Sequence, residues 1–326
     1  MSALITGGGG YIGSALAKRL LEEGYEVITI DDLSRGNYEH LRRVDEGARL
    51  KLVVGDIRDV DKLNAVVKNV GDLKAIFHLA AVSGLRRCSR DPRKAITTNV
   101  YGSYNVLEIA RKYDADKIIF TSSAAVYGDP IELPIPESHP TRPKNLYGIT
   151  KLAAEHLFIS YHELYGLTTV ILRLGNVYGV GLFTYWESVI PKFVRQALSG
   201  KPLTIYGTGE QTRDFVHVWD VVRALELVLK ANNDVVSGEV FNVASGHPIS
   251  VNFIAEIVRE NVGKIGVVHL PPREGETYLP GFCLSIDKIR RKLGFEPSWD
   301  VKEGIKQLIK YYLSSSMSSD QKERRT

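Results

Sequence analysis

Tyr147 and Lys151 are the residues of this sequence whose types and spacing predict chemistry most directly. Because they lie four positions apart at the start of a predicted helix, their side chains share one helix face. A tyrosine has a pKa of about 10, and its use as a base near neutral pH requires about 4 kcal/mol of stabilisation of the phenolate. A lysine at ~5.5 Å supplies about 3 kcal/mol at an effective dielectric of ~20. The pair is therefore predicted to form a general base only beside a second positive charge.

Ser123 is the predicted hydrogen-bonding partner of the reacting oxygen. It lies in the segment Phe120–Gly128, where a predicted strand ends. Hydroxyls at the carboxyl edge of a parallel sheet face the crevice in which ligands bind. The preceding Ser122 is a second candidate for substrate contact. Serine-rich strand ends also occur in ordinary loops, and Tyr-x-x-x-Lys is common on helix surfaces, so both signals depend on the elements around them.

The first predicted strand, Ala3–Thr6, runs directly into four glycines and then a helix. Gly7, Gly10 and Gly13 form the pattern GxxGxxG. The first glycine permits a tight turn, the second lets the backbone approach a pyrophosphate, and the third allows close helix–strand packing. The free amides of the helix N-terminus then face the phosphates. This context predicts a dinucleotide site, and an oxidised nicotinamide there would supply the second positive charge beside Tyr147.

Asp31 distinguishes between dinucleotides. It closes the second predicted strand, 18 residues after Gly13, where a carboxylate accepts both ribose hydroxyls of adenosine and repels a 2′-phosphate. We therefore predict NAD rather than NADP, although Arg35, just past this strand, could hold a 2′-phosphate. Asp56 ends the third predicted strand and is either an acceptor for the adenine amino group or an ordinary turn residue.

Short apolar runs alternate with helical segments over the first half of the chain, which predicts βαβ units and a parallel sheet buried between helices. The predicted fold class is α/β, a Rossmann-type doubly wound parallel sheet with a smaller, partly interleaved C-terminal substrate lobe. We assign residues 1–175 to an NAD-binding Rossmann domain and residues 176–313 to the substrate lobe, some segments of which return to the first domain. The Ser-rich, charged residues 314–326 are predicted to form a disordered tail.

The composition of the 326-residue chain excludes several classes of protein. Its formal net charge of +4 is a weak basic excess, whereas nucleic-acid-binding proteins usually show a concentrated basic face, so no nucleic-acid partner is predicted. No apolar stretch approaches the ~18 residues of a membrane span, and the N-terminus lacks a secretory signal. Cys88 and Cys283 have no ligand-spaced partner, so neither a disulfide framework nor a metal site is predicted. These features predict a cytoplasmic protein.

Ten short motifs, spread from Gly7 to the last quarter of the chain, are specific in combination. In chain order they are Gly7–Gly13, Asp31–Asn37, Gly55–Asp59, His78–Ala81, Asn99–Gly102, Thr121–Gly128, Tyr147–Lys151, Arg173–Gly179, Arg213–Val218 and Arg273–Glu276. Together they resemble the extended short-chain dehydrogenase/reductase family, and within it the UDP-galactose 4-epimerases, also called UDP-glucose 4-epimerases. The resemblance reaches as far as Phe295.

The resemblance implies a role for each site residue. Tyr147 is the expected base, Lys151 its cationic neighbour and a ligand of the nicotinamide ribose, and Ser123 the partner on the sugar oxygen. The expected NAD contacts, besides Tyr147 and Lys151, are Gly7, Gly10, Tyr11, Ile12, Gly13, Asp31, Asp32, Leu33, Ser34, Arg35, Gly36, Asp56, Ile57, Leu79, Ala80, Ala81, Asn99 and Val177. The expected contacts to a UDP-sugar substrate are Ser122, Ser123, Tyr147, Asn176, Val189, Tyr206, Arg213 and Arg273.

The resemblance also implies a reaction, the interconversion of UDP-galactose and UDP-glucose through a transient 4-keto sugar and tightly bound NAD. Related 4,6-dehydratases and decarboxylases carry an acidic residue where this chain has Ala124 and Ala125, which argues against both of those reactions. A 4-epimerase of UDP-N-acetylglucosamine or UDP-glucuronate and a non-catalytic NAD-binding regulator are the alternatives. The segment Pro280–Cys283 is expected to set the room for the sugar.

The resemblance also bears on the charge near the cofactor phosphates and on the assembly of the protein. Many 4-epimerases carry a lysine near the cofactor phosphates where this chain has Ser83, and Arg86 or Arg87 is a candidate replacement. In the family, the helices that correspond to Pro92–Tyr113 and Tyr147–Tyr165 pair with their copies in a second subunit, which implies a homodimer.

Overall fold

The computed structural model describes residues 1–44, 49–272 and 281–323, with side chains as far as Ser314. The strands are β1 (Ser2–Thr6), β2 (Glu26–Asp31), β3 (Leu50–Val54), β4 (Leu73–His78), β5 (Ile118–Ser123), β6 (Thr169–Leu174), β7 (Asn176–Tyr178), β8 (Leu203–Tyr206), β9 (Thr212–His217), β10 (Glu239–Val243), β11 (Pro248–Ser250) and β12 (Val267–Leu270). The helices are α1 (Tyr11–Glu22), α2 (Glu39–Arg42), α3 (Val60–Val67), α4 (Leu85–Arg90), α5 (Pro92–Ile96), α6 (Gly102–Lys112), α7 (Leu146–Tyr165), α8 (Val189–Leu198), α9 (Val218–Lys230), α10 (Asn233–Val236), α11 (Val251–Val262), α12 (Asp287–Leu293) and α13 (Val301–Glu323). A π-helical turn, Thr97–Tyr101, joins α5 to α6.

Seven of these strands form one parallel sheet in the order β10-β6-β5-β4-β1-β2-β3. The order runs from β1 through β2 to β3 and then restarts on the other side of β1 with β4. In open α/β sheets, ligands bind at such a reversal, beyond the carboxyl ends of the strands. The predicted doubly wound parallel sheet is confirmed, and its reversal lies where the glycine loop follows β1.

The central sheet is buried on both faces. Every residue of β1 and β6 is buried, because helices cover the sheet on each side. Successive side chains of a strand point to opposite faces, so Ile5 joins a core with Leu16 and Val221 of α1 and α9. Leu4 joins the opposite core with Leu63 and Phe158 of α3 and α7. This packing fixes the strand ends that form the site.

The chain after β6 builds a second, smaller group of elements. Strands β11, β9 and β7 form one sheet, and β12 pairs with β8 in another. Phe193, Ile254 and Leu308, from α8, α11 and α13, share a separate core there. Strand β10 returns to the central sheet beside β6. The domain boundary between residues 175 and 176 stays a prediction.

Two elements differ from the sequence-based expectation. The predicted helix Pro92–Tyr113 is interrupted by the π-helical turn, which places Asn99 in the interior at 2% exposure. Single π-helical turns of this kind are frequent at functional sites. The predicted disordered tail from residue 314 overlaps α13, which ends at Glu323. Extending a helix already packed against α8 and α11 costs less than starting one. Residues 324–326 lie outside the described residues.

Among the described residues, no helix combines the length and apolarity that crossing a membrane requires. In the same part of the chain, no group of three or more His, Cys, Asp or Glu side chains could hold a metal ion. The cytoplasmic location stays a prediction.

Candidate functional site

A cavity of about 930 Å³ lies at the reversal of the sheet, along the carboxyl ends of the central strands. The glycine loop, the strand ends and the first turns of α7 contribute to its wall. The predicted site residues that line it are Gly7, Gly10, Tyr11, Ile12, Gly13, Asp31, Asp32, Ser34, Arg35, Gly36, Asp56, Ile57, Leu79, Ala80, Ala81, Ser122, Ser123, Tyr147, Lys151 and Val177. One cavity thus holds most of the predicted cofactor contacts together with the three predicted catalytic residues.

The other predicted site residues do not line this cavity. They are Leu33, Asn99, Asn176, Val189, Tyr206 and Arg213. The last four belong to β7, α8, β8 and β9 of the second lobe. There the Tyr206 ring lies under two cations, Lys192 Nζ at 5.4 Å and the Arg86 guanidinium at 5.9 Å from its centroid. Arg273 lies outside the described residues.

The glycine loop has the shape that a pyrophosphate requires. Gly7 has φ +74°, and a Cβ there would lie 2.8 Å from the Ala80 amide nitrogen. A Cβ at Gly13 would lie 2.2 Å from the Gly7 oxygen, so helix and loop touch. A Cβ at Gly10 would meet only that oxygen, at 3.1 Å, which leaves room beside the loop. Helix α1 begins there without a side-chain cap, and its free amides suit an anion. These features fit a dinucleotide.

Asp31 is fixed by the loop that it faces. Its Oδ2 accepts from the Gly9 amide at 3.0 Å and its Oδ1 from the Leu33 amide at 2.8 Å. Burial raises the pKa of this carboxyl, and these amides oppose the rise. Leu33 itself has φ +56° and shapes the turn instead of lining the cavity. Asp56 lines the cavity, but both of its oxygens accept from Arg58.

Arg35 is the cation that lies at Ser83. Its Nη1 donates to the Ser83 hydroxyl, and its guanidinium lies 4.4 Å from the centroid of the Tyr185 ring. Arg87 also lines the cavity and lies 3.4 Å from Glu187, whereas Arg86 lies against Tyr206 in the second lobe. At Ser83 the structure therefore places a cation that the sequence did not suggest for this position.

The segment 183–187 of the second lobe roofs the cavity, and sequence reasoning did not include it. All five of its residues line the cavity. Tyr11 Oη and Thr184 Oγ1 both donate to the Gly179 carbonyl, at 2.8 and 2.7 Å. Phe183 stacks on His40 with 5.3 Å between ring centroids. The cluster Phe-Thr-Tyr-Trp-Glu is the one signal in the sequence that points to this segment.

Tyr147 and Lys151 occupy the start of α7, which Asn145 caps by accepting from the Gly148 amide at 2.9 Å. Lys151 Nζ donates to the Thr121 carbonyl at 2.8 Å, and burial lowers the pKa of this amine to about 8. Burial raises the pKa of Tyr147 to about 12, against a hydrogen bond with Ser123 that lowers it. The protein groups alone therefore leave the phenol a weaker acid than a free tyrosine, because burial outweighs the hydrogen bond with Ser123.

Two buried side chains join the strand ends around this site. Asn99 Oδ1 accepts from the Val82 amide at 2.7 Å, and its Nδ2 donates to Thr150 Oγ1 at 2.9 Å. His78 bonds Thr6 Oγ1 through Nδ1 and Ser103 Oγ through Nε2, both at 2.8 Å. Burial lowers the pKa of His78 to about 3, so the ring is neutral. Asn99 thus supports the cavity wall through its hydrogen bond with Val82 and does not itself line the cavity.

The sequence pattern of the NAD dependent epimerase/dehydratase family matches residues 3–244, and the chain belongs to this family. The predicted resemblance to extended short-chain dehydrogenases/reductases and the predicted NAD cofactor are both confirmed by this membership.

Similar proteins in the family carry out more than one reaction. A putative UDP-glucose 4-epimerase of Methanocaldococcus jannaschii is 38% identical, over 94% of this chain and 97% of that protein. A dTDP-glucose 4,6-dehydratase of Salmonella typhimurium is 32% identical, over 97% of this chain and 94% of that protein. The crystal structure of UDP-glucose 4-epimerase with UDP-glucose from Thermotoga maritima has a TM-score of 0.88 at 34% identity, over 97% of this chain and 99% of that chain. The family assignment therefore leaves the choice of reaction to the site.

Proposed function

We propose that this chain is a UDP-glucose 4-epimerase, which interconverts UDP-galactose and UDP-glucose by inverting C4 of the sugar. The observation that carries the proposal is the pair Ala124 and Ala125, which follows Ser123 directly at the end of β5. Loss of a hydroxyl from C6, the reaction of a 4,6-dehydratase, needs an acid within hydrogen-bond reach. Alanine holds no transferable proton. Chemistry that needs one base at one hydroxyl is what this site supports.

Glu187 does not replace the missing acid. It is the carboxylate of the cavity roof, where it accepts from the Tyr185 hydroxyl and pairs with Arg87 at 3.4 Å. The hydrogen bond from Tyr185 lowers the pKa of this carboxyl. Glu187 is therefore ionised near neutral pH and has no proton to donate to a leaving hydroxyl.

The proposed mechanism assigns one task to each residue of the catalytic set. NAD, when bound, supplies the reversible acceptor for the hydrogen on C4 of the sugar. Tyr147 takes the proton of the 4-hydroxyl and later returns it, and Ser123 hydrogen-bonds the same oxygen. Lys151 holds a positive charge beside the phenol, which favours the phenolate. The 4-keto sugar turns over between the two proton transfers, so its other face receives the hydrogen.

The UDP half must stay anchored while the sugar turns. We assign this task to Asn176, Val189, Tyr206, Arg213 and Arg273, the predicted substrate contacts of the second lobe. An arginine forms bidentate bonds with phosphate oxygens, which suits a diphosphate. UDP-sugar binding by the Thermotoga maritima epimerase supports the same substrate class.

We also propose a homodimer formed through α6 and α7. Large apolar side chains are exposed on these helices and on the π-helical turn before α6: Tyr101 and Tyr104 are 51% and 40% exposed, and Leu164 and Tyr165 are 70% and 53% exposed. Exposed apolar side chains on two helices that pack together support an interface there. Leu164→Lys is expected to yield a monomer in sedimentation at micromolar concentration, and a monomeric wild type would contradict the proposal.

A panel of UDP-sugars tests the proposed function. Purified protein is incubated with UDP-galactose, UDP-glucose, UDP-N-acetylglucosamine and UDP-glucuronate, and the products are separated by chromatography. Interconversion of the first two at the highest kcat/KM is the expected result. A preference for an N-acetylated or glucuronate sugar would replace the substrate but keep the reaction, whereas a 4-keto-6-deoxy product would overturn the proposal. No turnover of any sugar would favour an NAD-binding regulator.

A further inference from the structure

Glu155 lies on α7 one turn beyond Lys151, and the mechanism above gives it no task. Its side chain is completely buried, at 0% exposure. Residues four apart on a helix have Cβ atoms about 5–6 Å apart, so the two side chains are neighbours on one helix face. A buried carboxylate is costly unless it is paired, so the partners of Glu155 decide what it can do.

The partners of Glu155 come from two strand ends. Ser122 Oγ on β5 donates to Oε1 at 2.5 Å. Arg173 on β6 donates from Nε to Oε1 at 3.1 Å and from Nη2 to Oε2 at 2.7 Å. The guanidinium side chain is itself only 7% exposed. The pair therefore ties the helix that carries the catalytic residues to the two strands beside it.

The two members of this ion pair face different parts of the protein. The other terminal nitrogen of Arg173, Nη1, donates to Tyr127 Oη at 3.0 Å and to the Glu137 carbonyl at 3.1 Å. Tyr127 Oη in turn donates to Asn242 Oδ1 on β10, at 2.7 Å. The positive member thus extends toward β10, while the negative member sits on the same helix face as Lys151.

Among the described residues, Glu155 is the carboxyl group that acts on Lys151 from the same helix. The titratable groups around the ammonium are His78 from β4, Cys88 from α4, and Tyr147 and Glu155 from α7 itself. Burial keeps His78 neutral and raises the pKa of the Cys88 thiol. From β5 the ammonium meets two uncharged groups, the Thr121 carbonyl and the Phe120 ring, whose centroid lies 4.5 Å from Nζ.

We propose that Glu155 is a positioning residue that keeps Lys151 protonated beside Tyr147, and that Arg173 holds the Glu155 carboxylate in place and balances part of its charge. Burial lowers the pKa of Lys151 to about 8, and Glu155 is the main influence against this fall. A further fall of about one unit would reduce the protonated fraction at pH ~7.5 from about three quarters to about one quarter. The effect on turnover rests on the proposed function, whereas the charge of Lys151 does not.

Three variants test the proposal: Glu155→Gln, Arg173→Gln and the double variant. The pKa of Lys151 is read from the NMR shift of ¹³Cε-labelled lysine, assigned with Lys151→Met. Glu155→Gln is expected to lower this pKa by about one unit, because the anion is lost and Arg173 remains. Arg173→Gln is expected to raise it, because Glu155 is no longer balanced. The double variant is expected to fall between Glu155→Gln and the wild type.

A merely structural role predicts a different result. Loss of either partner would then move the pKa of Lys151 in the same direction, or leave it unchanged, and this would overturn the proposal. A buried charge without its partner can prevent folding. The double variant leaves no unpaired buried charge, so it keeps the proposal testable if the single variants do not fold. An unchanged Lys151 pKa in the double variant would also contradict the proposal. Expected pKa shifts without any turnover of UDP-sugars would keep this inference and reject the proposed function.

Discussion

The two lobes bring residues to the cavity in different ways. In the first lobe, Gly7, Asp31 and Ser123 each lie where a strand of the central sheet ends, and parallel strands end at one edge. In the second lobe, the roof is the loop 183–187, and the predicted substrate residues that the structure describes are spread over two small sheets and helix α8. In the first lobe, the topology of the sheet alone therefore places the site, whereas the second lobe depends on contacts between distant segments.

Tyr147→Phe tests whether the first lobe carries the chemistry, and it is expected to have the largest effect. If the strand ends and α7 of the first lobe carry the chemistry, kcat falls about 10³-fold, the usual range for loss of a general base. Bound NAD, measured after denaturation, stays at the wild-type amount. Tyr25→Phe is the matched control, since Tyr25 does not line the cavity. A Tyr147→Phe variant with normal kcat would show that Tyr147 is not the general base.

Gly13→Ala tests whether the first lobe also holds the cofactor. The new Cβ would lie 2.2 Å from the Gly7 oxygen, so loop and helix must separate, at a cost of about 1–3 kcal/mol. We expect the affinity for NAD, measured by calorimetry, to fall at least about tenfold. Gly71→Ala is the control, because a Cβ there meets no atom within 4 Å. Equal affinities in the two variants would contradict the assigned geometry of the loop.

The pH dependence of kcat tests whether the reaction needs the positive charge of Lys151 in the first lobe. Lys151 has a pKa lowered to about 8, so its charge is present below that pH and is lost above it. Activity is therefore expected to fall on the alkaline side of pH 8, by about tenfold for each further pH unit. An activity that stays constant to pH ~10 would show that the charge of Lys151 is not needed.

Tyr185→Ala tests the contribution of the second lobe to the same cavity. Loss of the ring removes the cation–π contact with Arg35, which is worth about 1 kcal/mol. We expect NAD to dissociate about fivefold faster in a competition experiment followed by fluorescence. Tyr185→Phe keeps the ring, so NAD is expected to dissociate from this variant more slowly than from the alanine variant. Wild-type dissociation in both would show that the roof does not retain the cofactor.

The sequence predicted the elements of the site correctly where they depend on local order along the chain. A strand, a glycine loop and a helix follow one another at Gly7–Gly13, and the carboxylate of Asp31 closes the next strand. The contact of Arg35 with Ser83 could not be predicted, because it joins residues 48 positions apart through a side-chain conformation. The π-helical turn that buries Asn99 also leaves no periodic signal in the sequence. Loops and irregular turns depend on tertiary packing, which residue patterns do not encode.

The pKa of Tyr147 with and without NAD tests most directly whether the cofactor supplies the second positive charge beside the phenol. The phenol is observed by NMR in protein labelled with ¹³Cζ-tyrosine, and Tyr147→Phe assigns its signal. Without cofactor the pKa is expected to be about 12, because burial dominates. With NAD⁺ bound it is expected to fall by at least about two units, because one more positive charge at ~5.5 Å supplies about 3 kcal/mol at an effective dielectric of ~20. A phenol whose pKa is the same with and without NAD⁺ would contradict the proposed role of the cofactor charge.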